Sequence, residues 1–281
     1  MYSSVTVNGC NVKFKFTCAL DSLVSVISNA INNCELFKTL VQSFVRESKA
    51  SSGTLLKLSL LYASEGPSAT VYGERILLLC NNSFNKKRVE EFDCTTNAAR
   101  LFEKLLENEV CSVTETEKCL ICGKVETNLK QTVSVRTKQI LDNGIESLED
   151  EINYALRDTS VDCKDCKIEG IKFKKQKIGP YLCVDIEYVY LQQMLNAYKY
   201  PTDTKCNLKD IPQVLTLQDK TYVLFGAIEG TREHYIAYCR KSNNEWEKHD
   251  DIAPSRKLEK LNSDNLPSIK LSLIFYTECL L

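Results

Sequence analysis

Histidines and aspartates, two residue types that support nucleophilic catalysis, lie close together near the C-terminus. The sequence contains only two histidines, so a histidine base would be either His234 or His249. His234 opens the alternating apolar segment 234–238, which is typical of a β-strand. The acidic pair Asp250 and Asp251 follows at a spacing that a short hairpin would bring back beside His234. An imidazole with an orienting carboxylate is the base of a catalytic triad, which directs the search to an upstream nucleophile.

Cys18 is the candidate nucleophile because it begins a predicted helix. Apolar residues recur at helical spacing over 19–31, immediately after it. A helix N-terminus carries partial positive charge and unpaired N–H groups, which stabilise a thiolate and can receive an oxyanion. The alternatives are a buried structural cysteine, a hydrogen-bonded core histidine and a solvated acidic turn. A thiol protease needs all three groups, and their presence in one chain favours catalysis.

Two Cys-x-x-Cys pairs predict a metal site. Cys119 and Cys122 form the first pair, and Cys163 and Cys166 form the second. Four thiolates on two tight turns complete a tetrahedral shell, the arrangement favoured by structural zinc. Such a shell is closed, so the zinc would stabilise the fold and leave no position for chemistry. The alternative is four unmetallated thiols that happen to be paired.

Composition excludes several other classes of function. The chain has 281 residues, 43% of them hydrophobic, and a formal net charge of −1, so no basic excess favours nucleic acid. The four lysines at 172, 174, 175 and 177 are interpreted as a solvated strand face. No apolar run is long enough to cross a bilayer, and the polar start of the chain does not resemble a secretory signal. Fourteen cysteines then indicate reduced thiols in an intracellular protein, cytoplasmic or nuclear.

These groups lie on elements of two kinds. Apolar residues at helical spacing predict helices over 19–31, 35–47, 55–62, 98–108 and 147–157, while 76–79 is left unassigned. Alternating and β-branched segments predict strands over 125–135, 168–173, 181–190, 214–217, 222–228, 235–238 and 271–276. The outline is an α+β chain with a helical lobe, a cysteine-bearing β extension and a mostly antiparallel sheet.

Six motifs in this order resemble the ubiquitin-specific protease family of deubiquitinating cysteine proteases. The segment 17–22, Thr-Cys-Ala-Leu-Asp-Ser, is similar to the cysteine box of that family, and 234–251 is similar to its histidine box. The paired cysteines resemble its zinc-bearing fingers. The other three likenesses are to strands of the same family, at 180–186, 208–228 and 273–276.

The resemblance implies a papain-like cysteine protease hand fold in a single catalytic domain over 1–281. Its parts would be a helical thumb (1–110), zinc-bearing β fingers (111–180) and an antiparallel β palm (181–281). Cys18 would be the nucleophile, His234 the base and Asp250 the carboxylate that orients the imidazole. The implied activity is cleavage of ubiquitin or a ubiquitin-like modifier such as SUMO after its C-terminal Gly-Gly, with conjugates of that modifier as partners and structural zinc as cofactor.

Three residues depart from the family pattern. Lys13 stands where the family commonly has an asparagine that donates to the oxyanion, and loss of one such donor costs about 3 kcal/mol. Glu233 replaces the usual glycine before the histidine, and His249 replaces the usual phenylalanine before the aspartate. The alternative function is therefore a catalytically silent module that binds ubiquitin or SUMO with the same fold.

Overall fold

A computed structural model describes residues 3–7, 10–15, 17–47, 54–81, 86–88, 91–93, 97–107, 110–186, 205–231, 234–250 and 258–279. The described helices are α1 Cys18–Asn33, α2 Glu35–Glu47, α3 Leu55–Glu65, α4 Ala69–Asn81, α5 Ala98–Leu105, α6 Thr137–Asn143 and α7 Leu148–Ala155. The described strands are β1 Ser3–Val7, β2 Cys10–Lys15, β3 Lys86–Arg88, β4 Glu91–Asp93, β5 Val113–Cys119, β6 Val125–Lys130, β7 Val133–Ser134, β8 Thr159–Cys163, β9 Ile168–Ile178, β10 Tyr181–Asp185, β11 Lys205–Asn207, β12 Val214–Leu217, β13 Lys220–Gly230, β14 Tyr235–Arg240, β15 Trp246–His249, β16 Glu259–Leu261 and β17 Ser268–Glu278. None of the helices in these ranges is long and apolar enough to cross a membrane.

The predicted helices are confirmed. The five periodic segments correspond to α1, α2, α3, α5 and α7, and the unassigned apolar run 76–79 lies inside α4. The helix predicted over 98–108 ends earlier, as α5 does at Leu105, and Asn97 caps its start by accepting a hydrogen bond from the Arg100 amide. Periodicity worked here because each of these helices buries an apolar stripe, α1, α2, α3 and α5 in one core and α7 in a second.

Helix α1 is the centre of that core. It packs against α2, α3 and α5 on its outer sides and against β13 and β14 on the other. Two of its buried hydroxyl groups are hydrogen-bonded to backbone carbonyls. The Ser25 hydroxyl donates to the Asp21 carbonyl at 2.8 Å, and the Ser28 hydroxyl donates to the Ser59 carbonyl on α3 at 2.9 Å. A helix enclosed on nearly every face is rigid, which suits a helix that carries a reactive residue.

The largest sheet, called here the palm sheet, has nine strands. Their order is β16-β15-β14-β13-β17-β10-β7, with β11 pairing with β17 and β12 pairing with β13. The helical core covers one face, and a second apolar cluster that includes Trp246 and Ile152 of α7 covers the other. Both faces of β10 and β17 are therefore buried, which explains their continuous apolar sequences. The strand predicted over 181–190 is described only to Ile186.

A separate four-stranded sheet, the finger sheet, has the order β6-β5-β9-β8 and carries both cysteine pairs. Between its two hairpins the chain returns to the palm, where β7 pairs with β10. Strand β9 runs five residues beyond the predicted 168–173. The lysines of β9 interrupt the apolar alternation by which a strand is recognised. In the sheet they pair with glutamates of β5: Lys172 with Glu117 at 3.0 Å and Lys174 with Glu115 at 2.6 Å. Lys172 is 6% exposed, so the prediction of a solvated lysine face is wrong for this residue.

Candidate active site and metal centre

His234 and Asp250 are joined by a hydrogen bond. His234 immediately precedes β14, and Asp250 immediately follows β15. These strands form the predicted hairpin, in which Ala237 lies opposite His249 and Arg240 lies opposite Trp246. The hairpin thus brings the two ends back together, with His234 Nε2 at 2.9 Å from Asp250 Oδ1.

The bond to Asp250 fixes the roles of the two ring nitrogens. An ionised carboxylate can only accept hydrogen bonds. Nε2 therefore carries the ring proton and donates a hydrogen bond to Asp250. In the neutral ring Nδ1 then holds the lone pair, which makes Nδ1 the atom that can take a proton from a nucleophile. Lys248 Nζ lies 3.6 Å from the other oxygen of Asp250, a contact that favours the ionised carboxylate.

Cys18 is the first residue of α1 and is 7% exposed. Its place at the helix N-terminus exposes it to the positive end of the helix dipole, as the sequence predicted. Asp21, in the same first turn, carries a negative charge that would oppose a thiolate. The guanidinium of Arg75 offsets that charge.

Arg75 holds the first turn of α1 from the neighbouring helix α4. Its Nε and Nη2 atoms donate to the two oxygens of Asp21, each at 2.8 Å, and Nη2 also donates to the Thr17 hydroxyl at 2.6 Å. The Thr17 hydroxyl in turn donates to Asp21 at 2.9 Å. This bidentate pair is well oriented and largely shielded, with 13% of the Arg75 side chain exposed. Arg75 could not be predicted from the sequence, because no local pattern links it to Asp21, 54 positions earlier.

Three contacts show that α1 runs beside β14 in the same direction. Near the end of both elements, the Ser242 amide donates to Asn33 Oδ1 at 3.2 Å. One turn earlier, Asn29 Nδ2 donates to the carbonyls of Arg240 at 2.8 Å and Phe225 at 2.9 Å. Still earlier, Val26 packs against Gly226 of β13, where a Cβ would lie 3.0 Å from Val26 Cγ1, and Gly226 pairs with Cys239 of β14.

The N-terminal ends of α1 and β14 can be located from the lengths of the two elements. Cys18 precedes Asn29 by eleven helical residues, about 16 Å of helix. His234 precedes Arg240 by six extended residues, about 20 Å of strand. The first turn of α1 and the start of β14 therefore lie at the same end of the packed layer.

The four paired cysteines form one cluster. Their sulfur atoms all lie within 4.8 Å of one another. The Cys119 and Cys166 sulfurs are 3.7 Å apart, and the Cys122 and Cys163 sulfurs are 3.9 Å apart. Four sulfurs placed tetrahedrally at 2.3 Å from a zinc ion would be separated by about 3.8 Å. The cluster thus has the size and chemistry of a metal site.

Each pair sits on a tight turn that a left-handed residue closes. Gly123 (φ 69°) and Lys167 (φ 56°) follow the two pairs, and their amides donate back to the carbonyls of Cys119 and Cys163 at 3.1 and 2.7 Å. The thiols of the cluster influence one another: the backbone N–H of Cys122 lowers the pKa of Cys119 to about 6, whereas the hydrogen bond with Cys122 raises the pKa of Cys166 to about 12.

The structure describes two of the three residues that depart from the family pattern. Lys13 lies on β2, where its backbone pairs with Ser4 and Glu91. Glu233 and Asp251 lie outside the described residues. His249 ends β15, and burial lowers its pKa to about 4, so this second histidine is neutral at physiological pH.

Comparison with known proteins relates the chain to deubiquitinating enzymes by fold. No profile of a known protein family matches it. A chain in the yeast SAGA DUB module has a TM-score of 0.57 at 14% identity, over 94% of this chain and 67% of that one. A chain in the SAGA DUB module Ubp8/Sgf11/Sus1/Sgf73 bound to monoubiquitin scores 0.52 at 14% identity, over 95% and 68%. The catalytic unit of Neurospora crassa Pan2, described as a protease and nuclease domain, scores 0.52 at 10% identity, over 99% and 57%.

A relative by sequence is a 120.7 kDa protein in the NOF-FB transposable element of Drosophila melanogaster. It is 27% identical over 286 residues, which include 95% of this chain but only 25% of the relative, so the chain spans about a quarter of that protein's length. At the identities of the solved structures the likeness establishes the fold alone. The chain has a mixed α/β fold of the kind found in ubiquitin-specific proteases.

Proposed function

We propose that the chain is a thiol-dependent isopeptidase that cleaves ubiquitin, or a ubiquitin-like modifier, after its C-terminal Gly-Gly. The observation that carries the proposal is the 2.9 Å bond between His234 and Asp250, at the end of the layer where α1 begins with Cys18. The fold shared with DUB-module structures, one of them bound to monoubiquitin, supports the choice of substrate. We also propose an intracellular site of action, which the free cysteines of the described residues support.

The proposed reaction assigns one role to each residue. His234 Nδ1 takes the proton of Cys18, and the thiolate attacks the carbonyl carbon of the terminal glycine. The backbone N–H groups at the start of α1 receive the oxyanion, in the absence of the usual asparagine. The imidazolium, held by Asp250, then protonates the departing lysine amine, and water releases the thioester.

We further propose that zinc occupies the four-cysteine cluster. Cys119, Cys122, Cys163 and Cys166 would hold it, and the sulfur spacing supports a tetrahedral ion. A four-sulfur shell is closed to substrate, so zinc here fixes the tip of the finger sheet and takes no part in the reaction. The carboxylates of Asp165 and Glu126 near it are bound by Lys124, at 2.8 and 3.0 Å, which limits repulsion of the thiolates.

Activity-based probes test the proposed function. Ubiquitin and SUMO that end in a thiol-reactive warhead are each incubated with the zinc-loaded chain. We expect covalent labelling of the wild type by one of them and none of Cys18→Ala. Cys80→Ala, at a partly exposed cysteine on α4, is the matched control and should label like the wild type. Failure of both probes to label the folded wild type contradicts the enzyme. Binding of ubiquitin without labelling would favour the silent binding module.

A further inference from the structure

Two cysteines outside the proposed site are in contact, although they lie far apart in the sequence. The Cys34 and Cys279 sulfurs are 3.3 Å apart, and both residues are free thiols. Cys34 lies between α1 and α2, while Cys279 directly follows β17. This contact joins positions 245 residues apart in the sequence.

Cys34 occupies the N-terminal end of α2, a helix of thirteen residues. The hydrogen bond from Cys279 is the largest cause that lowers the pKa of Cys34 to about 6, and the backbone N–H groups of Phe37 and Leu36 add to it. These amides belong to the first turn of α2, so they stabilise a thiolate as a helix N-terminus does. The position of Cys34 at the start of α2 therefore makes it the more nucleophilic sulfur of the pair.

Cys279 has the opposite character. The hydrogen bond with Cys34 raises its pKa, and burial adds to that effect. Its hydroxyl neighbour Thr277 lies 3.8 Å from its sulfur. A thiolate in contact with a protonated partner thiol is the arrangement that oxidises to a disulfide most readily.

Both backbones are held in place, so the sulfurs meet without rearrangement of the fold. The Cys34 amide donates to the Ala30 carbonyl at 2.9 Å, and its carbonyl accepts from the Lys38 amide at 2.9 Å. The Cys279 amide donates to the Thr221 carbonyl on β13 at 3.0 Å. The contact is a built feature of the α1–α2 junction and the C-terminal end of the palm sheet.

We propose that Cys34 and Cys279 are a modification site, at which hydrogen peroxide oxidises the two thiols to a disulfide. The Cys34 thiolate attacks one peroxide oxygen, the O–O bond breaks, and Cys34 becomes a sulfenic acid as hydroxide leaves. The Cys279 sulfur then attacks the Cys34 sulfur. The new S–S bond expels hydroxide, which takes up the Cys279 proton as water. In total two thiols and one peroxide give one disulfide and two waters.

The chemistry of the pair supports this order of events. Cys34 is buried, which suits a small oxidant rather than a protein thiol. Once Cys34 is a sulfenic acid, the thiolate that raised the pKa of Cys279 is gone. The Cys279 thiol then loses its proton more easily and becomes a better nucleophile for the second step. The product ties the α1–α2 junction to the last described strand.

Peptide mapping under non-reducing conditions tests the site. The zinc-loaded full chain is treated at pH 7 with a few equivalents of hydrogen peroxide, and remaining thiols are alkylated before digestion. We expect a peptide pair linked through Cys34 and Cys279, which dithiothreitol separates. Absence of this pair from the folded wild type, or preferential linkage of either cysteine to another partner, overturns the proposal.

Serine variants identify the attacking thiol. Cys34→Ser keeps a side chain that caps helices well, so the fold should persist. In Cys279→Ser we expect a sulfenic acid at Cys34 that dimedone traps; in Cys34→Ser we expect no dimedone adduct at Cys279. Cys80→Ser is the matched control and should form the linked pair as fully as the wild type. Dimedone capture at Cys279 in place of Cys34 would overturn the assigned order of attack.

Discussion

The His234–Asp250 pair is the chemical centre of the proposed site, and its strength depends on charge. The carboxylate accepts from Nε2 and stabilises the imidazolium that forms when Nδ1 takes a proton. An amide in place of the carboxylate keeps the shape of Asp250 but loses the charge, and its NH₂ group can favour the wrong ring tautomer. We predict that Asp250→Asn lowers turnover of a ubiquitin substrate by about 10³-fold or more.

The adjacent aspartate provides the control for this prediction. Asp251→Asn removes the same charge one residue further along and should change turnover by less than a few-fold. Initial rates with a fluorogenic modifier substrate, at saturating and at low concentration, measure both variants. Equal losses in the two variants would show that Asp250 is not the orienting carboxylate.

His249 gives the stability of the protein a predictable pH dependence. Its folded pKa is about 4, below the usual 6.5 of an unfolded histidine, so the unfolded chain binds a proton more tightly. The stabilisation is complete above pH 6.5 and is lost as the pH falls towards 4, by about 2–3 kcal/mol. We predict that His249→Phe flattens the fall in unfolding free energy over this range. Urea denaturation at pH 7, 5.5 and 4.5 measures it, and parallel profiles for the two proteins would contradict it.

At the scale of elements, the tip of the finger sheet, formed by the two cysteine-bearing turns, has few contacts that keep it ordered. Strands β5 and β9 pair along most of their length, but the segments beyond Cys119 and Cys163 are turns held by few apolar contacts. Leu120 and Ile121, for example, are 70% and 60% exposed. Without a core of its own, such a tip needs a cross-link to stay ordered.

We predict that the chain binds one zinc ion and that Cys163→Ser abolishes binding. Elemental analysis of protein purified with zinc measures the stoichiometry, and Cys80→Ser should retain the ion. Removal of zinc by a chelator should speed amide hydrogen exchange in residues 117–126 and 160–171 while leaving α1 unchanged. A wild-type protein that binds no metal, or a tip whose exchange ignores the chelator, would contradict the assignment.

At the scale of the whole molecule, the buried side chain of Asn29 links the helical lobe to two strands of the palm sheet. Asn29 is 9% exposed, and its amide donates to carbonyls on two different strands, β13 and β14. Its removal leaves two buried carbonyls without this donor. We predict that Asn29→Ala costs about 2–3 kcal/mol of unfolding free energy and lowers Tm by about 5 °C or more.

A second asparagine on the same helix is the control. Asn32 is exposed and makes a longer bond to the Ala63 carbonyl, 3.3 Å. Asn32→Ala should shift the unfolding free energy by less than about 0.5 kcal/mol. Calorimetry and urea titration compare the two variants, and equal losses would mean that Asn29 does not link the lobes.

The sequence by itself determined the elements and the chemical groups of this protein. Helical and alternating periods gave α1, α2, β12 and β14 because each buries a fixed stripe or face, and the cysteine spacing predicted the cluster. The hairpin between His234 and Asp250 was also predictable, since only a short turn separates its strands. Local patterns failed where charged side chains pair across a sheet, as the lysines of β9 do.

Only the tertiary structure decided which distant residues meet. Arg75 reaches Asp21 from another helix, Asn29 sets the direction of α1 along β14, and Cys34 meets Cys279 across 245 residues. No periodicity encodes such contacts, because they arise from the packing of elements that are far apart in the chain. The residues of the proposed site can therefore be identified from the sequence, whereas their orientation depends on how the core packs.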